Sequence, residues 1–128
     1  MKITAIESAV LVLPCGRPMS LEFADHRMVA TFIHTDAGVS GLGYTLAFGG
    51  GGAEAIQVYL ETRLKPLLIG EDPLLVEKHW ERMYRADRGI KRQGIAAYAL
   101  SALDIGLWDV AGKVARLPLY KLWGGYTD

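Results

Sequence analysis

The sequence lacks the features that mark several common classes of protein. It contains one cysteine among 128 residues, so no disulfide can form within the chain. Fourteen basic residues balance fourteen acidic ones, a composition that gives no electrostatic footprint for nucleic acid. No apolar run approaches the ~20 residues of a membrane span, and the run at residues 9–13 is too short for a signal peptide. These absences predict a cytoplasmic protein.

Two kinds of ligand site are also disfavoured by what the sequence lacks. Histidines occur only at positions 26, 34 and 79, so no two have the spacing of three or four residues that places metal ligands on one helical face. His34 and His79 are predicted to be structural. The four glycines at 49–52 are not followed by the Lys-Ser or Lys-Thr of a phosphate-binding loop, so a mobile loop is predicted instead. No metal ligand is predicted anywhere in this chain.

The first part of the chain is rich in residues that favour strands. Residues 3–13, 28–35 and 39–45 are dominated by β-branched and other apolar side chains. The short turn Asp36-Ala37-Gly38 joins the second and third of these segments and predicts a hairpin. The sequence therefore predicts a three-stranded antiparallel sheet.

The second part of the chain has helical spacing. Apolar residues recur at Ile56, Tyr59, Leu60 and Leu64, and a second helix is predicted to start at Pro73. The third and longest helix is predicted at 94–115, with a last turn at 118–123. Three strands followed by three helices predict an α+β fold.

The connection at residues 14–27 is polar, contains prolines and has no periodicity. Such long connections in compact domains are often functional. Asp25, His26 and Arg27 lie there, and two interpretations stay open: solvated loop residues, or substrate contacts made by the loop.

The predicted third helix is apolar on nearly every side, which indicates neighbours on several faces. Small residues such as Gly106 would allow another backbone to approach closely, as compensation for about 1 kcal/mol of lost helix propensity. Asp109 and Lys113 have the spacing of a surface ion pair. Asp104 is harder to place, and a buried junction with a neighbouring element is one interpretation.

The end of the chain, SALDIGLWDVAGKVARLPLYKLWGG, resembles the domain-junction signature of the mandelate racemase/muconate lactonizing enzyme family of the enolase superfamily. The matching positions are Ala102, Asp104, Trp108, Asp109, Gly112, Lys113, Leu117, Pro118, Leu119, Leu122, Gly124 and Gly125. Gly106 stands where the family usually has alanine. The segments MKITAIE, DAGVSGLGYT and GEDPLLVEKHWERMY agree with the same family.

This resemblance implies an N-terminal α+β capping domain, similar to that of enolase, joined to a TIM barrel. Residues 1–100 would form the capping domain, and 101–128 the junction helix and the lead-in to a barrel that is absent from this chain. Two loops of the capping domain, matching 14–28 and 44–52, would close over the barrel mouth. The residues expected to contact substrate from these loops are Arg17, Asp25, His26, Tyr44, Thr45 and Phe48.

The chemistry implied by the resemblance is abstraction of the proton α to a carboxylate, assisted by Mg²⁺. The catalytic and metal-binding residues of the family belong to the barrel, so no catalytic residue is predicted here and the 128 residues alone are expected to be inactive. The complete enzyme would be an acid-sugar dehydratase or epimerase, or a 2-hydroxy-acid racemase. Cycloisomerisation and amino-acid-derived substrates stay open.

The expected partners are a barrel domain or another copy of the chain, together with a small carboxylate substrate. A homo-oligomer is expected, with no nucleic acid and no membrane. The alternative is a stand-alone binding module or an inactive truncated fragment.

Overall fold

The computed structural model describes residues 1–14, 25–47, 51–86, 89 and 93–126. Strands β1 (Ile3–Pro14), β2 (Asp25–Thr35) and β3 (Ser40–Ala47) form an antiparallel sheet in the order β1-β2-β3. They are followed by α1 (Ala53–Tyr59), a π-helical turn (Leu60–Leu64), α2 (Lys65–Leu68), α3 (Val76–Arg85), α4 (Ile95–Ala115) and α5 (Leu119–Leu122). The predicted α+β fold is confirmed.

The hairpin between β2 and β3 forms where the turn residues predicted it. The Thr35 amide donates to the Val39 carbonyl at 3.2 Å, and Gly38 has a φ of 74°, which favours glycine. The Asp36 carboxylate accepts a 2.8 Å hydrogen bond from the amide of Lys2. The turn is therefore tied to the start of β1.

The strands extend further than the sequence predicted. Pro14 pairs with Asp25, and Arg27 pairs with Ala47. The loop bounds of 14–28 and 44–52 were therefore too wide, because backbone pairing continues through polar residues that looked like loop. Pro14 is accommodated because it ends an edge strand, where no ladder donor is needed.

The first predicted helix is divided by Pro66. Proline cannot donate to the carbonyl four residues before it, and its ring crowds that carbonyl. The chain widens into the π-helical turn just before Pro66 and then resumes as α2. The next helix, α3, begins at Val76 and not at Pro73, because the backbone carbonyl and carboxylate of Asp72 hold the amides of Leu75 and Leu74 in a turn.

Helices α1 and α4 pack on one face of the sheet, and α3 packs against α4. The buried apolar cluster is built from Ile3, Ile6, Val29, Ile33, Ala47, Ala53, Ile56, Tyr59, Leu60, Leu64, Leu68, Val76, Met83, Ala99, Ala102, Leu103, Leu107 and Val110. By length and composition α4 could cross a membrane, but its central side chains belong to this cluster. The division predicted at residue 100 falls inside α4 and stays a prediction.

The backbone of α4 lies almost directly on β3 because both elements carry glycine at the contact. A Cβ on Gly41 would lie 2.2 Å from the Gly106 carbonyl oxygen, and one on Gly43 would lie 1.9 Å from that of Ala102. A Cβ on Gly106 would come within 2.9 Å of Ile33 Cδ1. The close approach explains why glycine stands at 106 despite its low helix propensity.

A buried hydroxyl adds a polar link to this contact. Thr31 Oγ1 donates to the Ala102 carbonyl at 3.1 Å, and Thr31 is fully buried. Thr31→Val keeps the shape and removes the donor, so the free energy of unfolding should fall by about 1 kcal/mol in urea denaturation. Thr62→Val, at an exposed hydroxyl that donates to the Val58 carbonyl four residues earlier, should change the free energy of unfolding by less than about 0.5 kcal/mol. Equal effects of the two variants would contradict this account.

Candidate functional site

The strand ends that flank both predicted capping loops lie at the same end of the sheet. The pairs Pro14–Asp25 and Arg27–Ala47 place the end of β1, the start of β2 and the end of β3 side by side. Helix α1 then starts at Ala53. The segments between these elements, 15–24 and 48–50, lie outside the described residues, and so do the predicted contacts Arg17 and Phe48. We call this end of the sheet the loop end.

The other four predicted contacts lie near the loop end but on two different faces. Side chains alternate along a strand, so Tyr44 and Thr45 point to opposite sides of the sheet. Tyr44 is 49% exposed on the open face, whereas Thr45 is 7% exposed and lies beneath the helices. By the same alternation His26 belongs to the open face and Asp25 to the helical face. Their roles toward a substrate stay predictions.

An ion pair at the loop end was missed by the sequence analysis. The guanidinium of Arg27 on β2 pairs with the Glu54 carboxylate in the first turn of α1. A carboxylate in a first helical turn is also favoured by the helix dipole. The ion pair therefore links β2, which follows segment 15–24, to α1, which follows segment 48–50. An acid at the start of a helix was the available signal, but its partner could not be read from sequence.

The face of the sheet opposite the helices is apolar and open. Phe32, Leu42, Tyr44 and Leu11 are 40%, 46%, 49% and 41% exposed. The strand register places Ala9, Met28, Ala30 and Leu46 on the same face. A contiguous apolar surface of this kind marks an interaction site in a soluble protein.

Two residues of the junction signature hold α4 against the edge of the sheet. Asp109 and Lys113 form the predicted ion pair at 2.7 Å. The Asp109 carboxylate also accepts a 2.7 Å hydrogen bond from the amide of Leu42, and Lys113 Nζ donates to the Ser40 carbonyl at 2.8 Å. The pair therefore does more than a surface ion pair, because it satisfies backbone groups on the edge strand β3.

A second part of the signature shapes the end of α4. The helix ends at Ala115, and Arg116, which follows it, has a left-handed φ of 55°. The Leu117 amide donates back to the Gly112 carbonyl at 3.1 Å. A Cβ on Gly112 would lie 3.0 Å from Leu119 Cδ2, so glycine allows the chain to fold back into α5. Trp123, which follows α5, meets Trp108 edge to face at 5.2 Å between ring centroids. The signature thus has an architectural role in this domain.

Asp104 occupies an unusual position between α3 and α4. It is half-buried, and burial followed by the charge of Glu77 on α3 raises its pKa above the ordinary value. Among the described residues, neither carboxylate has a hydrogen bond or an ion pair. A half-buried carboxylate that lies next to another acid and has no described cation as its partner is costly to maintain.

The described residues do not fit a magnesium site. They contain no group of three or more His, Cys, Asp or Glu side chains that could hold a metal ion. His79 is fully buried with Nε2 2.7 Å from the Asp72 carbonyl oxygen, and His34 Nδ1 lies 2.8 Å from Ser40 Oγ. Both histidines have partners inside the fold, as a structural role predicts.

Comparison with known proteins agrees with the resemblance seen in the sequence. The family model for the mandelate racemase / muconate lactonizing enzyme N-terminal domain matches residues 5–124. An arabinonate dehydratase of Saccharolobus solfataricus is 47% identical over 104 residues, which are 80% of this chain and 27% of that enzyme. A 3,6-anhydro-α-L-galactonate cycloisomerase of Streptomyces coelicolor is 40% identical over 102 residues, or 80% of this chain and 28% of that enzyme.

Among solved structures, a racemase from Streptomyces coelicolor A3(2) with bound magnesium matches with a TM-score of 0.91 and 32% sequence identity. The match covers 97% of this chain and 36% of that one. The chain therefore spans about a quarter to a third of the length of the relatives that it matches.

Proposed function

The chain belongs to the mandelate racemase / muconate lactonizing enzyme family, and on that premise we propose that it is the capping domain of a cytoplasmic acid-sugar dehydratase. The observation that carries the choice of reaction is the 47% identity to an arabinonate dehydratase. The similarity to a sugar-acid cycloisomerase makes cycloisomerisation of a related substrate the second candidate reaction. Both reactions act on a small polyhydroxylated carboxylate.

The proposed reaction removes the proton α to the substrate carboxylate and expels the neighbouring hydroxyl as water. The resulting enol rearranges to a 2-keto acid. The base for this step and the carboxylates for a magnesium ion would lie on a barrel domain, because the described residues of this chain offer no suitable group.

The contribution proposed for this domain is closure over the substrate. Both capping segments start from the loop end, and the Arg27–Glu54 ion pair fixes their bases relative to each other. Such closure excludes water and shapes the part of the site that selects the substrate. Arg17, Asp25, His26, Tyr44, Thr45 and Phe48 are the residues proposed to contact the substrate end remote from the carboxylate.

The direct test of the reaction uses the complete polypeptide, by which we mean the natural protein that contains this chain together with a barrel. It is incubated with five- and six-carbon aldonates and Mg²⁺, and formation of 2-keto acid is measured. Dehydration of at least one aldonate is expected. Racemisation or cycloisomerisation without loss of water would contradict the dehydratase proposal and favour another member of the family.

The proposed role of the loop end predicts a selective effect of His26→Ala in the complete polypeptide. KM should rise by about tenfold for the preferred substrate, while the proton-transfer step persists, because the lost contact is to the bound substrate. His34→Ala is the matched control: it lies on the same strand and the same open face, but at the hairpin end. Steady-state kinetics with several aldonates make the comparison. Unchanged kcat/KM for every substrate in His26→Ala would remove this residue from the site.

The open face of the sheet is the surface proposed to contact another subunit or a barrel domain. Its exposed apolar side chains are the support for this part of the proposal. The rival function, a stand-alone binding module, would need that face to be stable in water. A monomeric 128-residue chain in sedimentation, binding no dye specific for apolar surface, would favour the rival.

A further inference from the structure

Helices α3 and α4 leave a groove between them that the proposed loop-end site does not use. It has a volume of about 290 Å³ and is lined by Leu74, Leu75, Val76, Glu77, Lys78, Trp108 and Ala111. Leu74 and Leu75 are 42% and 46% exposed at its rim. We call it the α3–α4 groove. Its walls are mostly apolar and it opens to the surface.

Glu77 on α3 brings a carboxylate into the lining of the α3–α4 groove. Asp104 does not line the groove but lies beside it, one turn before Trp108 on α4 and near enough for the charge of Glu77 to act on it. Lys78 at the rim does not compensate them, because it pairs with Glu71 at 2.9 Å. Lys113, further along α4, is held by Asp109 and the Ser40 carbonyl. Within the described part of the chain, no base pairs with either acid.

We propose that in the complete polypeptide an arginine of the barrel domain enters the α3–α4 groove and pairs with Asp104 and Glu77. This inference rests on the proposed function, since it requires a second domain. Arginine fits best, because a planar guanidinium can bond two carboxylate oxygens at once and stack on an aromatic ring such as that of Trp108. The contact of Trp123 with Trp108 places the last described helix at one end of the groove.

A second copy of the chain is a poorer occupant of the groove. A two-fold interface presents the same patch from both subunits, so it would bring two pairs of acids together. Like charges facing each other would repel. A barrel domain is expected because the chain covers only 36% of the matching racemase structure, and it can supply a base where a second copy supplies an acid.

The test is Asp104→Asn in two settings, with thermal unfolding measured at pH 7. In the 128-residue chain the variant removes an uncompensated charge, so the midpoint should rise by about 2 to 4 °C. In the complete polypeptide it removes one half of a buried pair, so the midpoint should fall by at least as much. Glu77→Gln should shift both midpoints in the same directions as Asp104→Asn.

Glu61→Gln is the matched control, because Glu61 already has partners inside the domain. Burial raises the pKa of Glu61, but hydrogen bonds from Lys65 and Ser8 and the charge of Lys65 lower it more, so the net shift is downward. A carboxyl group whose pKa is lower in the folded state than in the unfolded state stabilises the fold at pH values above its unfolded-state pKa. That stability is lost as the pH falls through the folded-state pKa. At pH 7 Glu61→Gln should therefore lower the midpoint in both settings.

The outcomes separate the inference from the proposed function. Opposite shifts for Asp104→Asn support the pairing, even if the complete polypeptide fails to dehydrate any aldonate. A lowered midpoint in both settings would make Asp104 a purely internal structural residue and would overturn the inference. An unchanged midpoint in the complete polypeptide would overturn it too. Weaker self-association of the 128-residue variant in sedimentation would identify a second copy as the partner, which also contradicts the inference.

Discussion

Gly43→Ala should destabilise the fold more than any other conservative change considered for this chain. The new Cβ would lie 1.9 Å from the Ala102 carbonyl oxygen and 2.6 Å from the Gly106 amide nitrogen. Both are backbone atoms of α4 and cannot rotate away, so the helix must move off β3. Overpacking costs typically 1–3 kcal/mol, and this contact should reach about 3 kcal/mol or more. Urea denaturation of the 128-residue chain measures the loss.

Gly51→Ala is the control for the effect of adding a methyl group to a glycine. Gly51 has no atom within 4 Å of a Cβ and does not adopt a left-handed φ. In Gly51→Ala the free energy of unfolding should change by less than about 1 kcal/mol. It could rise slightly, because alanine reduces the conformational freedom of the unfolded chain. A Gly43→Ala variant as stable as Gly51→Ala would show that α4 does not lie on β3 as described.

Asp109→Ala should have the second largest effect. The carboxylate bonds both the Leu42 amide and Lys113, so its removal leaves the edge-strand amide without a partner and Lys113 with only the Ser40 carbonyl. Hydrogen bonds to charged groups contribute about 1.5–3 kcal/mol, and the free energy of unfolding should fall by about 2 kcal/mol. The exposed edge of β3 should also become more prone to pair with other chains. Denaturation and light scattering measure the two effects.

Glu81→Ala separates the edge-strand contact from the ion pair. Glu81 and Arg85 on α3 have the same spacing and the same acid-first order as Asp109 and Lys113. No bond from Glu81 to a backbone amide is seen in the described structure, so its loss should cost at most about 1 kcal/mol. If the two variants lost equal stability, the bond from Leu42 would contribute nothing measurable.

Much of the fold could be predicted because local patterns and tertiary packing agree. β-Branched residues, the Asp36-Ala37-Gly38 turn and the helical spacing after the glycines each predict the element that forms. Helix α4 was identified as a packing element from its small residues and its apolar character. In the structure the small residues of α4 allow its backbone to lie directly against Gly41 and Gly43 of β3.

The errors arose where long-range pairing overrides local composition. Polar residues 25–27 looked like loop, but the ladder with β1 and β3 makes them strand. The π-helical turn before Pro66 and the link from Asp109 to the Leu42 amide depend on three-dimensional positions that spacing does not give.

Candidate site residues were predicted less completely than the fold. The resemblance identified the loops, but Arg17 and Phe48 lie outside the described residues, and the roles of the other four stay predictions. For Asp104, a buried junction with a neighbouring element was one interpretation of the sequence. In the structure Asp104 lies beside the α3–α4 groove, near Glu77, a second acid that lines it.

We propose that this chain works as one domain of a larger enzyme. The most direct test is the intact mass of the natural protein in its source cell, together with its reading frame. The account predicts a polypeptide that continues beyond Asp128 for roughly a barrel's length, ~250 residues. A natural protein that ends at residue 128, and is a stable monomer in sedimentation, would contradict it and turn attention to the α3–α4 groove and the open sheet face as binding surfaces.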